Sequence, residues 1–141
     1  MLCYFFVKDF DLGIKLTLAF KINPSEFSIF EKNKIMDLTQ QDWKTQAERD
    51  PNAVILDVRT SEECSEGFIP KAVNIDIYKG QGFIYALEEL DKSKNYYVYC
   101  KAGARSAQAC QIMNQLGFEN TFNLLGGFMN WKGDVAFAAE D

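Results

Sequence analysis

Residues 96–107 contain the stretch that decides the fold, Tyr96-Tyr97-Val98-Tyr99-Cys100-Lys101-Ala102-Gly103-Ala104-Arg105-Ser106-Ala107. Its first four residues are aromatic or β-branched, which is typical of a buried strand. A short loop of small residues follows, and residues 106–116 have the pattern of a helix that ends at Gly117. The stretch therefore predicts a strand, a tight loop and a helix, with Cys100 at the carboxyl end of the strand.

Strands and helices alternate on both sides of this unit. Residues 53–58 form a near-continuous apolar run, as expected for a strand buried on both faces of a parallel sheet. Shorter runs predict strands at 35–38, 72–75 and 121–124, and helices are predicted at 39–49, 61–65 and 83–90. This alternation predicts an α/β fold in which helices cover both faces of a parallel sheet.

The length of 141 residues fits one compact domain. We assign residues 36–133 to that domain and residues 134–141 to a C-terminal tail. Residues 1–35 are crowded with Phe, Leu, Ile and Lys without a sustained period, and we expect an extension outside the domain fold. On this hypothesis Met36 is the natural start; the alternative is a native appendage that packs on the domain.

Composition excludes several classes of function. The net charge of −5 argues against nucleic-acid and anionic-membrane partners, which reward clustered Lys and Arg. No run approaches the roughly 20 apolar residues of a membrane span. The four cysteines (3, 64, 100 and 110) form no Cys-x-x-Cys pair and histidine is absent, so we expect no metal site. Reduced thiols are the simplest interpretation, and they indicate a cytoplasmic location.

The loop after Cys100 has the composition of a thiolate-binding loop. Its small residues leave main-chain N–H groups free to converge on the sulfur, and the following helix adds the positive end of its dipole. Lys101 and Arg105 supply full positive charges. Each contribution favours thiolate over thiol and lowers the cysteine pKa below its usual value of about 8.5. The sequence therefore predicts a cysteine nucleophile that needs no histidine.

Five motifs in order make residues 35–133 similar to the rhodanese family. They are Leu56-Asp57-Val58-Arg59, the stretch from Glu66 to Ile75, Val98-Tyr99-Cys100, the loop Cys100–Arg105 with Ser106, and Leu125-Gly126-Gly127-Phe128 with Trp131. The resemblance implies a sheet of about five parallel strands. It also implies a sulfurtransferase without a separate cofactor, in which Cys100 carries sulfur as a covalent persulfide. Thiosulfate is the implied small donor, and cyanide or a thiol such as glutathione or thioredoxin is the implied acceptor.

The resemblance also assigns roles to residues. Cys100 is the implied nucleophile, and the main-chain N–H groups of Lys101, Ala102, Gly103, Ala104 and Arg105 hold the persulfide or the donor's oxyanion. Arg105 also braces the loop, and Lys101 helps to recruit a dianion. Asp57, Arg59 and Ser106 are implied supporting residues, the first two anchoring the loop by ion pairing. The alternative for Asp57 and Arg59 is a surface ion pair of little consequence.

Two positions depart from the family pattern, and two other functions stay open. Phe68 stands where the family commonly has His, and Lys71 where it commonly has Gly. A cysteine phosphatase or arsenate reductase also uses a cysteine in an amide-lined loop that ends in arginine. Four residues separate Cys100 from Arg105, whereas such phosphatases place five there, so the tighter loop favours a sulfur atom over phosphate. A non-catalytic interaction module is the remaining alternative, and the retained cysteine and cations argue against it.

Overall fold

The structure, a computed structural model, describes residues 35–139. The expected extension lies outside the described residues, apart from its last residue. Five strands form one sheet: β1 (Met36–Leu38), β2 (Ala53–Asp57), β3 (Val73–Asn74), β4 (Asn95–Tyr99) and β5 (Asn120–Leu124). The helices are α1 (Gln40–Arg49), α2 (Ser61–Ser65), α3 (Gln81–Glu88) and α4 (Ala104–Gln115), with 3₁₀ turns at Ile77–Lys79 and Phe128–Asn130.

The strands are all parallel and lie in the order β1-β5-β4-β2-β3. This confirms the predicted α/β fold with a five-stranded parallel sheet. Strand β4 is central, and its last residue, Tyr99, pairs in register with Asp57 at the end of β2. Because the carboxyl ends of parallel strands share one edge of the sheet, Cys100 lies beside the residues that follow β2.

The side chains of β4 alternate between the two faces of the sheet. Tyr96 and Val98 pack with residues of α3 and α4, namely Phe83, Leu87, Ala109, Cys110 and Met113. Tyr97 and Tyr99 pack on the other face with Trp43 of α1. Successive strand residues point to opposite faces, so a strand that is covered on both sides must be apolar along its whole length. Helices on both faces are therefore confirmed as well.

Two boundaries differ from the prediction. Helix α4 begins at Ala104 instead of Ser106, because Gly103 takes a left-handed conformation (φ 112°) that ends the loop early. In the predicted tail, Ala136 forms an antiparallel bridge with Phe68 through N···O contacts of 2.9 and 2.8 Å. The chain after residue 133 is thus joined to the loop that precedes β3, at least as far as this bridge.

Leu56 offers a test of this packing. It is fully buried in the core against one face of the sheet, and Leu56→Ala is expected to lower the free energy of unfolding by about 2–5 kcal/mol through lost contacts and a cavity. Leu125→Ala is the matched control, because Leu125 is 46% exposed and its truncation should cost about 1 kcal/mol or less. Urea unfolding measures both. Equal losses for the two variants would contradict the position of Leu56 in the core.

Candidate active site

Cys100 directly follows β4, and its side chain is surrounded by donors. The N–H of Gly103 lies 3.1 Å from its Sγ, and the Ser106 hydroxyl oxygen lies 3.4 Å from it. The residue is only 1% exposed, so the sulfur lies at the bottom of the loop and not on its outer surface. Glycine at position 103 permits the left-handed turn that points this N–H inward.

The surroundings of Cys100 lower the pKa of its thiol. Burial acts in the opposite direction and raises the pKa, because it disfavours the charged form. The Ser106 hydroxyl and the main-chain N–H groups of Ser106, Gly103 and Ala102 outweigh burial by donating to the sulfur. Two of the five predicted main-chain donors therefore face the reduced sulfur. Within the described residues, the N–H groups of Lys101, Ala104 and Arg105 do not donate to it.

The residues that follow the Gly126-Gly127 turn are hydrogen-bonded to the start of the loop. Phe128 N–H donates to the carbonyl of Cys100 at 2.8 Å, and Met129 N–H donates to that of Lys101 at 3.0 Å. A Cβ atom at Gly127 would lie 2.3 Å from the Lys101 carbonyl oxygen, closer than any side chain can come. Only glycine at this position lets the two main chains approach each other, and the approach determines where the loop runs.

Arg105 is held by a residue that the sequence analysis did not identify. Its guanidinium makes two hydrogen bonds, of 2.8 and 2.9 Å, to the carboxylate of Glu63 in α2. Glu63 also accepts from the main chain of Thr60 in a capping box at the start of α2. The spacing of Thr60 and Glu63 could have revealed that box. The partner 42 residues away could not be read from the sequence, because no local pattern encodes it.

The ion pair with Arg105 makes the Glu63 carboxyl group a stronger acid than usual. Hydrogen bonds from Arg105 lower the pKa of Glu63 to about 2, against the smaller opposing effect of burial. The centre of the Tyr78 ring lies 5.4 Å from the guanidinium carbon of Arg105. The ion pair with Glu63 thus joins Arg105 to α2. The positive charge of Arg105 is largely compensated there.

Asp57 and Arg59 are buried and bind each other, so the alternative of a surface ion pair is wrong. Arg59 Nη2 lies 2.7 Å from Asp57 Oδ2, and it also donates to the Gly67 carbonyl at 2.9 Å. Asp57 accepts a further hydrogen bond of 2.6 Å from the Tyr99 hydroxyl. We predicted that this pair anchors the loop by ion pairing with it; the structure instead connects it to Tyr99, the residue before Cys100.

Cys64 completes the surroundings of Asp57. Burial, and then the Asp57 carboxylate, raise the pKa of Cys64 to about 12, so its thiol keeps the proton and donates to Asp57 at 3.1 Å. Burial also raises the pKa of the Tyr99 hydroxyl, with Asp57 acting in the same direction. Both groups are therefore hydrogen-bond donors to one carboxylate, and neither is suited to act as a nucleophile.

The loop lies apart from the cavity against α1. That cavity, of about 630 Å³, is lined by residues that include Trp43, Ile69, Lys71 and Trp131, and by none of the loop 100–105. Lys101, by contrast, is an exposed side chain on the loop. In residues 35–139 no helix combines the length and apolar character needed to cross a membrane.

Gly127→Ala should displace the loop. A methyl group there would collide with the Lys101 main chain, and the left-handed φ of 62° disfavours alanine as well, so we expect a loss of about 1–3 kcal/mol of stability. Slower alkylation of Cys100 at neutral pH should accompany it. Gly82→Ala in α3 is the control, since a Cβ there only touches Lys79 at 3.5 Å. Urea unfolding and iodoacetamide alkylation measure the two effects; equal behaviour of both variants would refute the close approach.

Glu63→Gln should destabilise the protein in a pH-dependent way. The pKa of Glu63 is lowered to about 2 from an ordinary 4.5. The negative charge of Glu63 therefore stabilises the fold above about pH 4.5, and this stabilisation is lost as the pH falls toward 2. The difference in urea midpoint between wild type and variant should therefore be full at pH 7 and shrink below pH 4.5. Glu48→Gln, which removes an exposed pair with Lys44, should leave the midpoint almost unchanged. A pH-independent gap for Glu63→Gln would contradict this origin.

Comparison with known proteins identifies the family of this chain. The family model described as a rhodanese-like domain matches residues 39–134. The chain is 36% identical over 105 residues to YtwF, a candidate sulfurtransferase of Bacillus subtilis (strain 168), with 72% of this chain and 95% of YtwF covered. It is 34% identical over 90 residues to the thiosulfate sulfurtransferase GlpE of Coxiella burnetii (strain RSA 331 / Henzerling II), covering 64% and 79% respectively.

The fold is similar to solved structures as well. A rhodanese-like domain protein from Staphylococcus aureus superposes with a TM-score of 0.64 at 27% identity, over 74% of this chain and 99% of that protein. A rhodanese-related protein from Thermoplasma volcanium gives the same TM-score of 0.64 at 26% identity, over 73% and 99%. With a family match that covers residues 39–134, this chain belongs to the rhodanese-like domain family.

Proposed function

We propose that this protein is a sulfurtransferase that carries sulfane sulfur as a persulfide on Cys100. The observation that carries the proposal is the hydrogen bond of 3.1 Å from the Gly103 N–H to Cys100 Sγ, inside a loop whose net effect is to lower the pKa of that thiol. A sulfur atom with donors directed at it from the main chain is stabilised as an anion. An anionic sulfur is needed both to attack a donor and to leave after transfer.

The reaction divides into two displacements at sulfur. The Cys100 thiolate attacks the outer sulfur of thiosulfate, a new S–S bond forms, the old S–S bond breaks, and sulfite leaves with the electron pair. An acceptor thiolate, such as that of glutathione or thioredoxin, then attacks the outer sulfur of the persulfide. The Cys100 thiolate leaves, and the acceptor becomes a persulfide. Cyanide as acceptor gives thiocyanate. Electrons balance without any external oxidant or cofactor.

The loop residues divide the work in this proposal. Gly103 and Ala102 direct their N–H groups at the sulfur of Cys100. The exposed Lys101 attracts the anionic donor against the negative background of the protein (net charge −5). Arg105 keeps the loop in place through Glu63. The sulfurtransferase names of YtwF and GlpE support the same reaction class.

Sulfur loading tests the proposal. Wild-type protein incubated with thiosulfate should gain the mass of one sulfur atom, and cyanide should remove it again with release of thiocyanate. Cys100→Ser should show no gain, because serine cannot form the persulfide. Cys64→Ser is the matched control: its hydroxyl still donates to Asp57, and it should load like wild type. Intact mass spectrometry and a colorimetric thiocyanate assay measure the two steps.

Two outcomes would overturn it. Loading that persists in Cys100→Ser would place the sulfur on another cysteine. Hydrolysis of an aryl phosphate by wild type without any uptake of sulfur would favour the phosphatase alternative.

A further inference from the structure

Asn123 is a buried amide next to the candidate nucleophile. It lies near the end of β5, is 3% exposed, and faces α4. The sequence analysis treated this stretch only as a strand. A buried amide in a sheet that packs on both faces needs partners for its oxygen and its nitrogen, and these partners connect it to Cys100.

The orientation of the Asn123 amide follows from its nitrogen. Nδ2 lies 2.9 Å from Oδ1 of Asp37, its register partner in β1, and 3.4 Å from the carbonyl oxygen of Gly103. Both are acceptors without a hydrogen of their own. The nitrogen must therefore face them, and the amide oxygen must face the other way, toward Ser106.

The Ser106 hydroxyl has one proton and three acceptors within reach. Asn123 Oδ1 lies 2.5 Å from Ser106 Oγ, the carbonyl oxygen of Gly103 lies at 3.1 Å, and Cys100 Sγ lies at 3.4 Å. Ser106 is fully buried, so water does not take the place of any of these three acceptors. A hydroxyl donates its proton to one acceptor at a time. While Cys100 is a neutral thiol, the Ser106 hydroxyl donates to Asn123 Oδ1, because this acceptor is the nearest of the three.

We propose that Asn123 is a positioning residue that competes with the Cys100 sulfur for the Ser106 hydroxyl proton, and so controls how readily that sulfur becomes anionic. The inference deepens the proposed function and rests on it, since Cys100 is the nucleophile there. When the sulfur takes a negative charge, the hydroxyl turns from Asn123 to the sulfur, because a charged acceptor binds a donor more strongly than a neutral one. Asp37 keeps the amide in the orientation that makes Asn123 a competitor.

The charged and titratable groups around Cys100 come from four elements: the loop, α4, β1 and α2. Lys101 lies in the loop, Arg105 and Cys110 lie in α4, and Asp37 lies in β1; Arg105 is paired with Glu63. Burial raises the pKa of Cys110 to about 12, so this thiol stays neutral through the range in which Cys100 titrates. Arg105 keeps its charge throughout. The direction in which the Ser106 hydroxyl donates can therefore respond to the charge of the sulfur.

The test is the pH dependence of Cys100 alkylation by iodoacetamide in the full chain, read on the Cys100 peptide by mass spectrometry. Asn123→Leu keeps the shape of the side chain and removes the competing oxygen. We expect alkylation about threefold to tenfold faster than in wild type below the titration midpoint, as one hydrogen bond would give. Ser106→Ala should shift the midpoint upward. In the Ser106→Ala background, Asn123→Leu should change nothing.

If Asn123→Leu acted only by loosening the site in general, the alkylation rates would follow another pattern. An effect of Asn123→Leu that is equal in both backgrounds, or slower alkylation in a folded variant, would overturn the proposal. If Asn123→Leu does not fold, Asp37→Ala replaces it, since Asp37 is exposed and its loss frees the amide to turn. It should speed alkylation in wild type and more weakly in Ser106→Ala; equal acceleration refutes the inference. Because alkylation needs no sulfur donor, this result is independent of whether the protein transfers sulfur.

Discussion

The curl of the main chain around the Cys100 sulfur is the constraint on which the rest of the site depends. Main-chain N–H groups have no rotamers, so only the path of the backbone can direct them at the sulfur. That path is set by contacts from separate elements: the close approach of Gly127 to Lys101, and the ion pair that joins Arg105 to Glu63. The chemistry of one cysteine is thus a property of several elements of the fold, and each of them can be altered without touching the sulfur.

The sequence was sufficient where the information is local. The strand, loop and helix at residues 96–107 show in adjacent residues, and the near-continuous apolar run of β2 shows that both of its faces are covered. It was insufficient for Glu63 and Asn123, whose partners lie in distant elements. Glutamate on a short helix is ordinary, and an asparagine in a strand has no periodic signature. Their roles come from three-dimensional proximity, which local patterns do not encode.

The two departures from the family pattern both lie in the loop between α2 and β3. Lys71, where glycine is common, keeps a left-handed φ of 72°, which costs about 1–2 kcal/mol for a residue with a Cβ. Phe68, where histidine is common, uses its main chain to pair with Ala136. The carboxylate of Asp57 has its donors from Arg59, Tyr99 and Cys64.

The strand order also bears on synthesis. In the described sheet, β1 pairs with β5 alone, although β1 is the first of the five strands and β5 the last. During translation β1 is therefore synthesised long before its partner β5, and β1 must stay unpaired while some eighty residues are added. Closure of such a sequence-distant pairing is slow compared with local helix formation. Until β5 has been synthesised, the nascent chain therefore exposes the unpaired strand β1 and the open edge of β4, and unpaired strand edges favour aggregation.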